Sequence, residues 1–192
     1  MTALDDLLHQ LVNGSESQAD SAARAIAALE HEAITPLAGL LRDPNPETRW
    51  WAVRSLAEIP LPEAAAHLLT ALQDPDENVQ HCALLGLRQH PAPENVAVLC
   101  DMLRSPNPMT THLAADALIA IGAPAVAPLL EILKTETAAI RIQAARALAK
   151  IGDTRSIAGL FDLYQDDSAL LEYWAEQGLE KMGVGMQFFT PD

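Results

Sequence analysis

The stretch Asp43–Pro60, DPNPETRWWAVRSLAEIP, decides the reading of the chain because it returns. Thirty-one residues on stands DPDENVQHCALLGLRQHP (Asp74–Pro91), and thirty-one further SPNPMTTHLAADALIAIG (Ser105–Gly122). Stepping outward from Ala52, alanine recurs every 30 or 31 residues at Ala22, Ala52, Ala83, Ala114, Ala144 and Ala175. Four positions later come Ile26, Leu56, Leu87, Leu118, Leu148 and Leu179, and three beyond those Leu29, Ile59, His90, Ile121, Ile151 and Met182. Only His90 breaks the third column. Spacings of four and three place each trio on one stripe of a helix, and the alanine lets a neighbouring helix come close.

Each copy reads as a pair of helices. After the first helix comes a breaker, Pro60, Pro91, Gly122, Gly152 or Gly183, at the position where helices stop. A second helix follows with its own apolar stripe: Leu68, Leu69 and Leu72, or Leu99 and Leu103, or Leu129, Leu130 and Leu133. It ends before the next Asp-Pro or Ser-Pro, where Asp or Ser suits a cap and Pro a helix start. Such a hairpin cannot bury its apolar face alone, so the copies must stack. The expected fold is therefore all-α: a right-handed α-solenoid of about six two-helix repeats. It forms one domain over 1–192, with a capping helix in 1–14, repeats in 15–183 and a tail in 184–192. Residues 2–13 are expected as an amphipathic helix with Leu4, Leu7, Leu8 and Leu11 inward, and residues 168–182 as a first-type helix with no second helix after it. Phe188 and Phe189 are expected to fold over the open end, since exposed Phe pairs are costly.

Composition narrows the function classes. About half the chain is apolar yet only 4% is aromatic, which suits Ala- and Leu-packed helices. A formal charge of −14 repels phosphate backbones and anionic lipid, so neither nucleic acid nor membrane is an expected partner. The two cysteines, Cys82 and Cys100, form no disulfide framework and fit a reducing compartment. The N-terminal MTALDDLLHQ lacks a signal peptide's basic flank, and no apolar run reaches membrane length. A cytoplasmic location is expected.

DPNPETRWWAVRSLAEI with a second helix after it, and the later AADALIAIG and AARALAKIG, resemble the short HEAT repeats named after phycobilisome lyases, from about Asp20 to Gly183. The resemblance implies the solenoid fold. It brings several functions with it: chromophore lyases, an iron-dependent hydroxylase, DNA glycosylases and plain scaffolds. The hydroxylase type needs several His-Glu pairs to hold two irons, and only His31-Glu32 is present. The glycosylase type needs a basic groove, which a charge of −14 opposes. The lyase type positions a bilin against a client cysteine, and no motif in this sequence marks a bilin site.

Two surfaces remain as candidates. On the second helices, Thr35, Ala66, Ala97, Pro128 and Ala158 form a floor of small residues beside the row Gly39, Thr70, Asp101, Ile132 and Asp162, with Glu63, Glu94 and Arg104 on the flank. Such a surface suits a basic or amphipathic segment of a partner protein. On the first helices, Trp50 lies about 120° to one side of the Leu56 stripe and Trp51 about 140° to the other, at 100° per residue. Their columns read Asp20, Trp50, His81, His112, Ile142, Tyr173 and Ser21, Trp51, Cys82, Leu113, Gln143, Trp174. These rings either cover the seams between helices or anchor a partner or a second copy of the chain. His81, Cys82 and His112 sit on neighbouring layers, too far apart for a tight metal site. No phosphate loop or nucleophile elbow appears, and apart from His31-Glu32 no His-Glu pair. The expected function is a non-catalytic interaction scaffold without cofactor or metal, with a phycobilin lyase or bilin carrier as the alternative and a di-iron hydroxylase behind it.

Overall fold

The computed structural model describes residues 2–166 and 168–184. The chain divides into two compact units, Met1–His90 and Pro91–Asp192. Among the described residues there are twelve α-helices and no strand. The first unit holds α1 (Ala3–Asn13), α2 (Glu16–Ala27), α3 (His31–Leu40), α4 (Pro46–Leu56), α5 (Pro62–Ala71) and α6 (Glu77–Gln89). The second holds α7 (Val96–Met102), α8 (Pro108–Ile121), α9 (Val126–Thr135), α10 (Ala138–Ile151), α11 (Ile157–Asp162) and α12 (Ala169–Lys181). Within each unit first helices pack on first helices, α2 on α4 and α4 on α6, then α8 on α10 and α10 on α12. Second helices pack against them from one side, as α3 does on α4 and α9 on α10.

This stacking follows from the columns. All six alanines from Ala22 to Ala175 are buried, as are all six aliphatic residues four positions later. The third column is mixed: Ile59 is buried, while Leu29, Ile121, Ile151 and Met182 are half-exposed at the helix ends. His90, the odd member, is the C-cap of α6, and its Nε2 lies 2.8 Å from the Ala57 carbonyl at the end of α4. A carbonyl only accepts, so the ring donates from Nε2 and satisfies a terminal carbonyl of the neighbouring helix. In α1, Leu11 is fully buried, whereas Leu4, Leu7 and Leu8 are half-buried. Phe188 and Phe189 lie outside the described residues.

A second column of small residues sets how close the helices come. Ser55, Gly86, Ala117, Ala147 and Gly178 recur at 30- or 31-residue spacing and all are buried. A Cβ added to Gly86 would stand 2.7 Å from Ala57 Cβ and 2.8 Å from Leu68 Cδ1, so α6 approaches α4 and α5 as only a glycine permits.

The turns between repeats differ from expectation in one respect. The N-caps are Asn45, Asp76 and Asn107, two residues after the expected Asp43, Asp74 and Ser105. The earlier residue instead accepts the backbone N–H of the cap residue: Asn45 N to Asp43 Oδ1 at 2.8 Å, Asp76 N to Asp74 Oδ1 at 2.9 Å, and Asn107 N to Ser105 Oγ at 3.2 Å. Each turn thus uses one short side chain to fold the chain and a second to cap the helix. The first breaker is also unlike the rest. Glu30 takes the place later filled by Gly122, Gly152 and Gly183 and adopts φ 47° there, a region where a side chain is strained.

Asp74 has a further role. Its carboxylate takes a two-pronged hydrogen bond from Arg49, Nε to Oδ2 at 2.7 Å and Nη2 to Oδ1 at 2.8 Å. Arg49 Nη1 donates to the carbonyls of Asp43, at 3.0 Å, and Pro44, at 3.3 Å. The pair ties one inter-repeat turn to the next, with side chains only 11% and 9% exposed. Arg141 and Asp166 repeat it in the second unit at 2.7 Å. Burial alone would raise the Asp74 carboxyl, but the Arg49 hydrogen bonds, the Asp76 N–H and the guanidinium charge outweigh it and hold the carboxyl below its usual range.

Two tests follow from this packing. A lowered folded pKa means that the pair contributes fully above the ordinary carboxylate pKa of about 4 and is lost as pH falls through the folded value. Asp74→Asn keeps the turn but strands the guanidinium, and should cost about 3–5 kcal/mol at neutral pH. In chemical denaturation the gap to wild type should narrow steadily below about pH 4. Gly86→Ala should lower the melting temperature, since overpacking costs about 1–3 kcal/mol against a helix-propensity gain of about 1. Gly39→Ala, with nothing within 4 Å of the added Cβ, should raise it by differential scanning calorimetry.

Candidate functional site

The tryptophan pair is sorted by α4. Trp51 is 8% exposed, and its backbone carbonyl accepts Ser55 Oγ at 2.8 Å. Its column continues buried through Cys82 and Leu113. Trp50 is half-exposed, and its ring stands edge-to-face on Trp51, with centroids 4.8 Å apart and planes at 84°. Trp51 is thus largely covered and supports the Trp50 ring. The last repeat makes the same pair from the same two columns: Tyr173 is exposed, Trp174 half-buried, and their rings meet at 5.0 Å and 71°.

Trp50 lines two notches on the face that α4 and α6 present. One, of about 350 Å³, is bounded by Trp50, Arg54, Ala57, His81, Cys82 and Leu85. The other, of about 380 Å³, is bounded by Pro46, Glu47, Trp50, Asp76 and Asn78. Asn78 also borders the first. Trp51 lines neither. The backbone repeat brings these residues together, since Trp50 and His81 are equivalent positions of successive first helices.

The second-helix candidates fall into two sets. In the first unit Glu63 and Thr70 are exposed on α5, with Ala66 between them, and Thr35 and Gly39 are exposed on α3. In the second unit Glu94, Asp101, Arg104 and Asp162 are exposed, but Ile132 is only 5% exposed and belongs to the core. The reason is register. The buried leucines of the second helices run Leu68, Leu99, Leu129 and Leu160, so one step is 30 residues instead of 31. The partner of Thr70 and Asp101 is therefore Glu131, which is exposed, and the floor residue beside it is Ala127, not Pro128. The corrected row is more acidic than the expected one.

Many of the cations are paired with carboxylates, some within the fold and others at its surface. Arg104 bridges two carboxylates, with Nε to Glu136 Oε1 at 2.7 Å and Nη1 to Asp101 Oδ1 at 2.6 Å, and those bonds raise its pKa. Arg24 pairs with Asp20, Arg54 with Glu58, and Arg155 with Asp153. The Asp153 carboxyl is drawn down to about 2 by the Arg155 side chain and backbone N–H. Arg146, its side chain 5% exposed, donates to Asp116 Oδ1 at 2.9 Å and to His112 Nε2 at 3.1 Å. Burial pulls its pKa down and Asp116 opposes the shift. Because a guanidinium only donates, the Nε2 lone pair of His112 is used in this contact.

Neither cysteine is poised for chemistry. Burial pushes the Cys82 thiol up to about 12 and the Cys100 thiol up to about 11, with Arg54 and Arg104 opposing weakly, so both stay protonated at neutral pH. Among the described residues no group of three or more His, Cys, Asp or Glu is placed to hold a metal. His31 and Glu32 lie exposed at the start of α3. No single described helix is long and apolar enough to cross a membrane.

The family model described as HEAT repeats matches residues 4–88, 65–139 and 96–180, and the chain belongs to that family. No curated protein matches the sequence. Among solved structures, the chain is similar to an archaeal HEAT-like repeats protein from Thermococcus onnurineus NA1, with TM-score 0.64 and 16% identity over 98% of this chain and 83% of that one. It is similar to the complex of CpcE and CpcF of phycocyanin lyase from Nostoc sp. PCC7120, with TM-score 0.57 and 20% identity over 95% and 78%. It is also similar to a designed armadillo repeat protein in complex with peptide (KR)4, with TM-score 0.56 and 19% identity over 94% and 100%. At these identities the likenesses establish the α-solenoid repeat fold.

Proposed function

From its membership in the HEAT-repeat family and from where its charges fall, we propose that this chain is a non-catalytic interaction scaffold that holds a basic segment of a partner protein. The observation that carries this reading is the row of exposed carboxylates on the second-helix faces. The arginines are drawn into pairs such as Arg49–Asp74, Arg141–Asp166 and Arg146–Asp116 that serve the fold. Carboxylates are exposed on the second-helix faces, Glu94, Asp101, Glu131 and Asp162 in the second unit and Glu63 in the first, with Asp101 paired to Arg104 and Glu131 3.8 Å from Lys134. Between them lie Ala66, Ala97, Ala127 and Ala158, small enough to let a backbone approach.

Each second helix is fixed by the core beneath it, through Leu68, Leu99, Leu129 and Leu160, all 0% exposed. Binding on such a surface loses little ordering entropy on the scaffold side. Complementary charge then sets orientation and association rate more than affinity. The designed armadillo repeat protein of the same fold class is a precedent for a basic peptide on stacked helices, since that protein holds (KR)4. The charged residues engaged in pairs also bear on strength: Asp101 is shared with Arg104, so its contribution to a partner is partial.

The reading is tested with a fluorescent peptide of alternating Lys and Arg, measured by anisotropy at several salt concentrations. It should bind at low salt, weaken as salt screens the charges, and lose about tenfold when Glu94, Asp101, Glu131 and Asp162 are converted to their amides. An equal affinity for a poly-Glu peptide, or no binding at low salt, would overturn it.

A further inference from the structure

The two notches beside Trp50 differ in charge, and the difference gives the surface a direction. One is a shallow recess bordered by two acidic residues, Glu47 and Asp76, together with Pro46, Trp50 and Asn78. The other is bordered mainly by apolar groups, Ala57, Cys82 and the 38%-exposed Leu85, with Arg54, His81 and Gln89 also in its lining. Trp50 and Asn78 are common to both, so the indole is a wall between an acidic and an apolar recess.

We propose that this α4–α6 surface is a recognition site for a partner segment carrying an arginine and a nearby apolar residue. The guanidinium enters between Glu47, Asp76 and the indole, and the apolar side chain enters the recess at Leu85. A guanidinium is planar and weakly hydrated, stacks on an indole and donates to carboxylates at the same time, which an ammonium does less well. The opposite orientation is disfavoured, because the lining of the apolar recess includes no acidic residue to receive a cation. Arg54 in that lining is held by Glu58.

The wall is rigid for reasons already in the fold. Trp51 holds the Trp50 ring edge-on from below. Gly86 brings α6 against Ala57, which fixes the width of the apolar recess. Asp76 is positioned as the N-cap of α6, its Oδ1 accepting Asn78 N at 2.8 Å. A preformed pocket with an aromatic wall is the kind of feature that concentrates binding energy. This site lies on the first-helix face of the first unit, apart from the second-helix carboxylates, and shares with the scaffold reading only the premise that the partner is a protein segment.

The test is a nitrogen-15 NMR titration of the full chain with Ac-Leu-Gly-Gly-Arg-NH2 and with the same peptide carrying citrulline, the neutral isostere of arginine. The Trp50 indole signal should shift and saturate with the arginine peptide, and the citrulline peptide should bind about five- to tenfold more weakly. Glu47→Gln with Asp76→Asn should abolish that difference while the melting curve stays close to wild type, since Asn caps a helix as well as Asp. Equal shifts with both peptides, or a Trp50 signal that does not move at millimolar arginine peptide, would overturn the site. If Trp50 is silent but resonances around Asp101 and Glu131 respond to the Lys-Arg peptide, the notch fails and the scaffold reading stands. If neither responds, both fail.

Discussion

Two neighbouring first helices can share a core only if their backbones come close, and in this chain that closeness is set by side chains of almost no size. Gly86 faces Ala57 with no room for a methyl group, and Gly178 faces Ala149 in the same way, an added Cβ lying 3.0 Å from its Cα. The alanine column from Ala22 to Ala175 serves the same end one stripe over. Close approach has consequences beyond stability. In the three central repeats the residue before the alanine is turned inward, so Trp51, Cys82 and Leu113 are buried, while the residue before that is left at least half-exposed. The adjacent tryptophans are divided by this geometry: one becomes core, the other becomes a wall of two recesses.

Electrostatics then determine what the surface can offer. A chain with 26 acidic and 12 basic residues would repel itself if its cations were left at the periphery. Three of the arginines, Arg49, Arg141 and Arg146, are instead held in pairs largely away from solvent. Arg49 binds the turn ahead of its own helix and the acid of the following turn, and in the second unit Arg141 pairs with Asp166. Such pairs are worth little as stabilisers relative to apolar packing but are costly to break, which makes them good locks on the geometry of a turn. Each such pair withdraws one cation and one carboxylate together, so the excess of 26 acidic over 12 basic residues is carried by the rest of the chain. The second-helix faces and the Glu47–Asp76 recess are two expressions of that one imbalance.

Much of this was legible in the sequence, because a repeat with a fixed period overrides the ambiguities of local propensity. The alanine and leucine columns, the helix over residues 3–13 and the helix over 169–181 were all visible in spacing alone. The errors came where the period slipped by one residue. Between Leu99 and Leu129 the step is 30, so extending the register by 31 put Ile132 on the surface, when it lies in the core. The apolar pair Leu129–Leu130 concealed the slip, since either residue could have been the inward one. The caps were misplaced for a related reason: Asp-Pro-Asn-Pro contains two residues able to cap, and only the backbone shows that the first makes the turn and the second begins the helix. Helical-wheel angles put Trp50 and Trp51 at similar distances from the stripe. Which of them is buried depends on the approach of the neighbouring helix, which a single-helix projection does not contain.

The sorting of the two tryptophans is the point on which fold and function meet. Equilibrium unfolding of Trp51→Ala and Trp50→Ala, each compared with wild type, tests it most directly. Removing the buried ring should cost about 3–5 kcal/mol. Removing the half-exposed ring should cost no more than about 1.5, most of it the lost edge-to-face contact. Equal losses, or a larger loss for Trp50→Ala, would show that the outer ring is a packing element and would contradict the division of roles drawn from this fold.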